Sequence, residues 1–96
     1  MSNGITNLIV RTPGILGGQP RIDGTRLSVR RIAILYKHGF TPEEIADQYE
    51  QLTLAQIYAA LSYYHANQKE IEIDIAAEEA EYDRLEKEHH QAKMSA

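Results

Sequence analysis

Residues 41–64, TPEEIADQYEQLTLAQIYAALSYY, hold two helix starts in close succession, and no other stretch constrains the fold as much. Thr41 can cap the first helix, and Pro42 suits its first position, where the missing N–H would be unpaired anyway. Glu44, three residues after Thr41, completes a capping box, and Thr53 with Gln56 repeats it at the second start. Ile45, Ala46 and Tyr49 mark the apolar face of the first helix; Leu54, Ile57, Leu61 and Tyr64 mark that of the second. Two helices joined so closely must cross at a steep angle, the helix-turn-helix arrangement.

Upstream, Ser28 can cap a helix over residues 29–38 that buries Val29, Ile32, Ala33 and Tyr36, with Gly39 as its stop and Phe40 packing back. Downstream, Asn67 followed by Glu70 forms a third possible capping box, which predicts a break near residues 66–67. A long helix should then run from residue 68 to about 90, some 35 Å at ~1.5 Å per residue. Its apolar residues Ile71, Ile75, Tyr82 and Leu85 form one narrow stripe among acids. A polar helix with so thin a stripe buries little alone and calls for a partner surface. Residues 91–96 should fray and residues 1–4 should be disordered.

At 96 residues the chain is one modest domain without cysteine, so disulfide scaffolds and thiolate metal sites are excluded. No basic-then-apolar leader is evident and no apolar run approaches the ~20 residues that span a bilayer, so a cytoplasmic protein is expected. Net charge is −4, but it is unevenly spread. Residues 1–40 carry six Lys or Arg and one acid; residues 69–96 carry nine acids and four bases. Either the two ends meet different partners, the basic one a polyanion, or they attract each other within or between subunits.

Residues 5–11 read as a short strand. In residues 19–29, QPRIDGTRLSV, Asp23-Gly24 favours a two-residue hairpin turn. That register sets Ile22 opposite Thr25, Arg21 opposite Arg26, and Pro20 opposite Leu27. Facing arginines destabilise a sheet unless an anion lies between them. The pair is therefore a phosphate or carboxylate clamp, or two arginines that point apart or meet an acid of the tail.

The string Pro20, Ile22, Gly24, Thr25, Arg26, the Leu52-Thr53 helix entry and the segment Ala60, Leu61, Tyr63, Tyr64 together resemble the Domain of Unknown Function 433 family, over roughly residues 12–75. The resemblance implies a small winged or homeodomain-like helix-turn-helix fold, usually oligomeric. It also implies a VapB-type antitoxin paired with a toxin resembling the PIN-type ribonucleases. No catalytic motif comes with it.

The expected architecture is therefore mostly α: a short N-terminal β-hairpin and a three-helix core over residues 1–66, then an acidic C-terminal helix over residues 67–96. If DNA is bound, the helix at residues 53–64 presents Thr53 and Gln56 to bases. Tyr58, Ala59, Ser62 and Tyr63 should also face outward. That helix has no Lys or Arg, so Arg21, Arg26, Arg30 and Arg31 must neutralise phosphate. The toxin would meet the stripe Ile71, Ile75, Tyr82 and Leu85. The alternative is an oligomeric protein-interaction module that never touches DNA. His38, His65, His89 and His90 contain no i, i+4 pair, so neither metal, cofactor nor enzymatic site is expected. Tyr36, Tyr49 and Tyr64 are expected in the core.

Overall fold

Both capping boxes form. The Thr41 hydroxyl accepts from the Glu44 N–H at 3.1 Å while the Glu44 carboxylate accepts from the Thr41 N–H at 2.9 Å. Thr53 and Gln56 exchange the same two bonds at 3.1 and 2.7 Å. These caps, with the Ser28 hydroxyl accepting from the Arg31 N–H, set three helix starts in this computed structural model, which describes residues 8–95 and the side chains through Gln91. The helices are α1 (Val29–Lys37), α2 (Pro42–Gln48), α3 (Leu54–Ala66) and α4 (Gln68–Ser95). Gly39, at φ +97°, turns the chain after α1 in a conformation that glycine adopts without strain.

Two short strands precede the helices. β1 (Ile9–Val10) and β2 (Arg21–Ile22) pair antiparallel, with Ile9 opposite Ile22 and Val10 opposite Arg21. Residues 5–7 of the expected strand, and residues 1–4, lie outside the described residues. The Asp23-Gly24 turn is present, with the Thr25 N–H donating to the Ile22 carbonyl at 3.1 Å. The expected two-residue hairpin is not. Ile22 N–H bonds the Leu27 carbonyl and Arg21 bridges Ser28, two positions further on. Thr25 explains the longer loop: its hydroxyl donates to the Ile22 carbonyl and accepts from the Leu27 N–H, closing the turn from inside. Arg21 and Arg26 therefore do not face each other.

The core gathers Ile22 from β2, Val29, Ile32 and Ala33 from α1, Ile45 from α2, and Ile57, Ala60, Leu61 and Tyr64 from α3. Burying each large aliphatic side chain contributes about 1.5–3 kcal/mol. Helix α3 is covered on more than one face, packing on α1, α2 and the ribbon. Ala59, expected outside, is buried for that reason, whereas Leu54 and Tyr36, expected inside, are partly exposed. The Tyr36 ring still meets Tyr64 edge-on, with centroids 6.4 Å apart.

The chain breaks at Asn67 as expected, but not through a third capping box. The Asn67 amide donates back to the Tyr63 carbonyl, and Glu70 is engaged elsewhere. Helix α4 then runs to Ser95, through residues expected to fray. Its stripe divides in two. Ile71 and Ile75 are buried in the core of this same chain; Tyr82 and Leu85 are 65% and 49% exposed. The boundary between α3 and α4 falls at Asn67, while the hydrophobic core continues across it to Ile75.

Candidate interaction surfaces

Helix α4 is held at its root by charge as well as packing. Arg11, just after β1, donates to both Glu70 carboxylate oxygens at 3.0 and 3.1 Å and to the Tyr63 hydroxyl at 3.0 Å. Lys37 of α1 meets Glu72 at 2.5 Å, and the Tyr64 hydroxyl donates to the same carboxylate. Arg30 of α1 meets Glu78 at 3.2 Å. The basic N-terminal half and the acidic tail thus attract each other within one subunit, one of the alternatives that the charge asymmetry allowed.

Three of these groups titrate away from their ordinary values, Arg11 being raised above all by its bond to the Tyr63 hydroxyl. The Lys37 ammonium, and then the Tyr64 hydroxyl, hold the Glu72 carboxyl below the usual carboxylate range. Burial, reinforced by the Glu72 charge, pushes Tyr64 up to about 12.

Beyond Glu78 the helix leaves the domain. Every residue from Glu79 to Gln91 is exposed, and that segment carries five acids and two bases. Helix order there draws on intrahelical pairs, with Arg84 bonding Glu81 at 2.5 Å and Glu88 at 2.6 Å. The overhang gives the molecule its elongated extents of 61 × 29 × 24 Å.

The arginines expected to neutralise phosphate take three different roles. Arg21 is only 8% exposed; its guanidinium donates to the Thr25 carbonyl at 2.8 Å and to the Thr12 hydroxyl at 3.0 Å. It is a strut of the β2–α1 turn. Arg30 is paired with Glu78. Arg26 and Arg31 are exposed, and among the described residues their side chains have no hydrogen-bond or ion-pair partner. Both line a cleft of ≈ 330 Å³ between the β2–α1 turn and α4.

The expected base readers are also engaged. Thr53 and Gln56 hold each other in the α3 cap, which leaves the Thr53 hydroxyl hydrogen and the Gln56 NH₂ for any further partner. Tyr58 and Ser62 are exposed on α3, and Tyr63 is tied to Arg11. Of the four stripe residues, the structure leaves Tyr82 and Leu85 accessible; Ile71 and Ile75 face their own domain.

Sequence reasoning did not find the individual ion pairs, although the opposed charges of the two ends were their signal. Nor did it find Leu16, a leucine at φ +50° on the lip of the arginine cleft, next to the visible Gly17-Gly18 pair. Among the described residues no group of three or more His, Asp or Glu is placed to hold a metal ion. No described helix is long and apolar enough to cross a membrane.

The architecture defines a small helical domain on a two-stranded ribbon, with one helix projecting from it. The sequence profile of the family described as "Protein of unknown function (DUF433)" matches residues 9–64, and the chain belongs to that family. The match runs from β1 into the last turn of α3 and ends before α4. A crystal structure of a DUF433 member from Anabaena variabilis is similar, at 36% identity over 75% of this chain and 71% of that one, with a TM-score of 0.69. No curated protein matches the chain.

Proposed function

We propose that this chain is a non-catalytic, protein-binding subunit of the antitoxin type, cytoplasmic and oligomeric, whose projecting helix holds a PIN-like ribonuclease toxin. The observation that carries the reading is the overhang. From Glu79 onward α4 is exposed and acidic, and it sets Tyr82 and Leu85 on the continuation of the face that the core uses at Ile71 and Ile75. A cleft that binds RNA must attract phosphate and so tends to be positive. An acidic helix with two apolar anchors complements such a cleft in charge.

Operator binding, with α2 and α3 as the helix-turn-helix and α3 in the groove, has less support. Of the four arginines required, one is buried, one is paired, and only Arg26 and Arg31 remain for phosphate. Helix α2 adds the exposed acids Glu43, Glu44 and Asp47.

The test is a growth assay with the reading frame beside this gene, expressed alone and with this chain. Toxicity rescued by the full chain, and not by a chain ending at Glu78, supports the reading. A cut at residue 69 would remove Ile71 and Ile75 from the core, so the later cut is the informative one. No toxicity from either neighbouring frame would overturn the antitoxin reading. A gel shift on the upstream DNA at low salt decides the operator question independently.

A further inference from the structure

We propose that the cleft between the β2–α1 turn and the root of α4 binds a small phosphate-bearing ligand, gripped by Arg26 and Arg31. The site goes beyond the antitoxin reading and uses no residue of the overhang's exposed stripe. Its walls are Leu16, Gln19, Leu27 and the three arginines Arg26, Arg30 and Arg31, with Ser28 between and Glu78 at the α4 side. Its ≈ 330 Å³ equals the liquid volume of about ten waters, room for a phosphate group and an organic remainder of similar size.

The charges around it are unbalanced. Arg11, Arg30 and Lys37 are each matched by one acid of α4. Arg26 and Arg31 are not, although Glu79 and Asp83 border the groove on the far side of Arg31. Arg30 and Arg31 also occupy the first turn of α1, which contains no acid. Cations there oppose the positive end of the helix dipole, and only an anion reverses the sign of that interaction. The Ser28 cap holds the backbone of Arg31 in place at 3.0 Å. Leu16, on the lip, has a left-handed backbone that costs an L residue about 1–2 kcal/mol. Strain of this kind persists where the surroundings enforce it, commonly at ligand sites.

Two guanidinium forks suit a phosphate, which offers three acceptor oxygens and a charge near −2. The surroundings select a small ligand over a nucleic acid. Duplex DNA carries a charge every ~1.7 Å. Laid across this cleft it would meet Glu79, Glu81 and Asp83 in the adjoining grooves, whereas a single phosphate group meets only Glu78, which is already paired with Arg30.

The full chain is titrated with inorganic phosphate and with glycerol 2-phosphate, ionic strength held constant with chloride. Thermal midpoint and ³¹P line width are both read. Expected is saturable stabilisation and line broadening in the wild type, at least ten-fold weaker in Arg26→Gln/Arg31→Gln and unchanged in Arg84→Gln, an arginine of the overhang. Neither cleft arginine holds a partner, and losing Arg31 removes a cation from the first turn of α1, so the double variant should melt at or slightly above the wild type in chloride; the single variant Arg26→Gln, outside α1, gives the same comparison without that change. Equal effects of phosphate on wild type and double variant, or none on either, would overturn the proposal. So would a 20-base-pair duplex that binds through these arginines while neither small phosphate does.

Discussion

Arg30 of α1 stands 3.2 Å from Glu78 of α4, and this pair closes the wall where the domain ends and the overhang begins. Both side chains are partly exposed, so their attraction is screened and contributes no more than about 1 kcal/mol. Glu78→Gln should therefore lower the thermal midpoint by no more than about 4–8 °C, the equivalent of ~1 kcal/mol in a domain of this size. It also releases Arg30 into the arginine cleft, so phosphate affinity should rise several-fold. Differential scanning fluorimetry with and without phosphate reads both effects.

The stripe of α4 predicts two opposite outcomes from one kind of substitution. Ile71→Ala removes a side chain only 1% exposed and should cost about 2–5 kcal/mol in urea unfolding. Leu85→Ala lies on the overhang and should stay within about 0.5 kcal/mol of the wild type. If the proposed toxin partner exists, co-purification with it should show the reverse order of damage, Leu85→Ala weakening the complex without changing the fold.

Acid and alkali should attack the same junction through different groups. The folded-state pKa of Glu72 is depressed, so its contribution is complete above its ordinary value of 4.5 and is lost as pH falls below that. Tyr64 is raised from 10.0 to about 12, so its contribution is complete below pH 10 and is lost as pH rises through 12. Thermal midpoints measured across pH should show both limbs. Glu72→Gln flattens the acid limb, and Tyr64→Phe removes the Tyr64 part of the alkaline one.

Arg21 and Arg26, five residues apart, should behave as different kinds of residue. Arg21→Ala leaves the part-buried Thr25 carbonyl and Thr12 hydroxyl without their donor and should cost about 1–3 kcal/mol. Arg26→Ala should be neutral within about 0.5 kcal/mol. Urea midpoints of the two variants make the comparison directly.

Helix starts were legible because a cap is a local device: Ser28, Thr41 and Thr53 bond to backbone three residues away, and sequence spacing alone carries that information. The β-turn failed at the next level. Asp23-Gly24 announces a turn, but the length of the return depends on the Thr25 hydroxyl bonding both of its flanks. The roles of the arginines were illegible for a further reason. Whether Arg30 is paired or Arg31 free depends on where α4 lies, and the single residue Asn67 sets that direction, while Arg21 is held by Thr12 and Thr25 of the ribbon. Helical spacing alone puts the four stripe residues on one face of α4. Its division between core and overhang follows from the height of the domain beside it, which no periodicity encodes.

Helix α4 is a lever. At ~1.5 Å per residue its 28 residues span about 42 Å, of which the part beyond Glu78 is about 25 Å. Asn67 is the pivot, and Ile71, Ile75 and three carboxylates clamp the short arm within its first three turns. A tilt of 10° at the clamp displaces the far tip by about 4 Å, more than a hydrogen-bond length. Any tilt imposed on the short arm beside the cleft would therefore reach the far tip magnified.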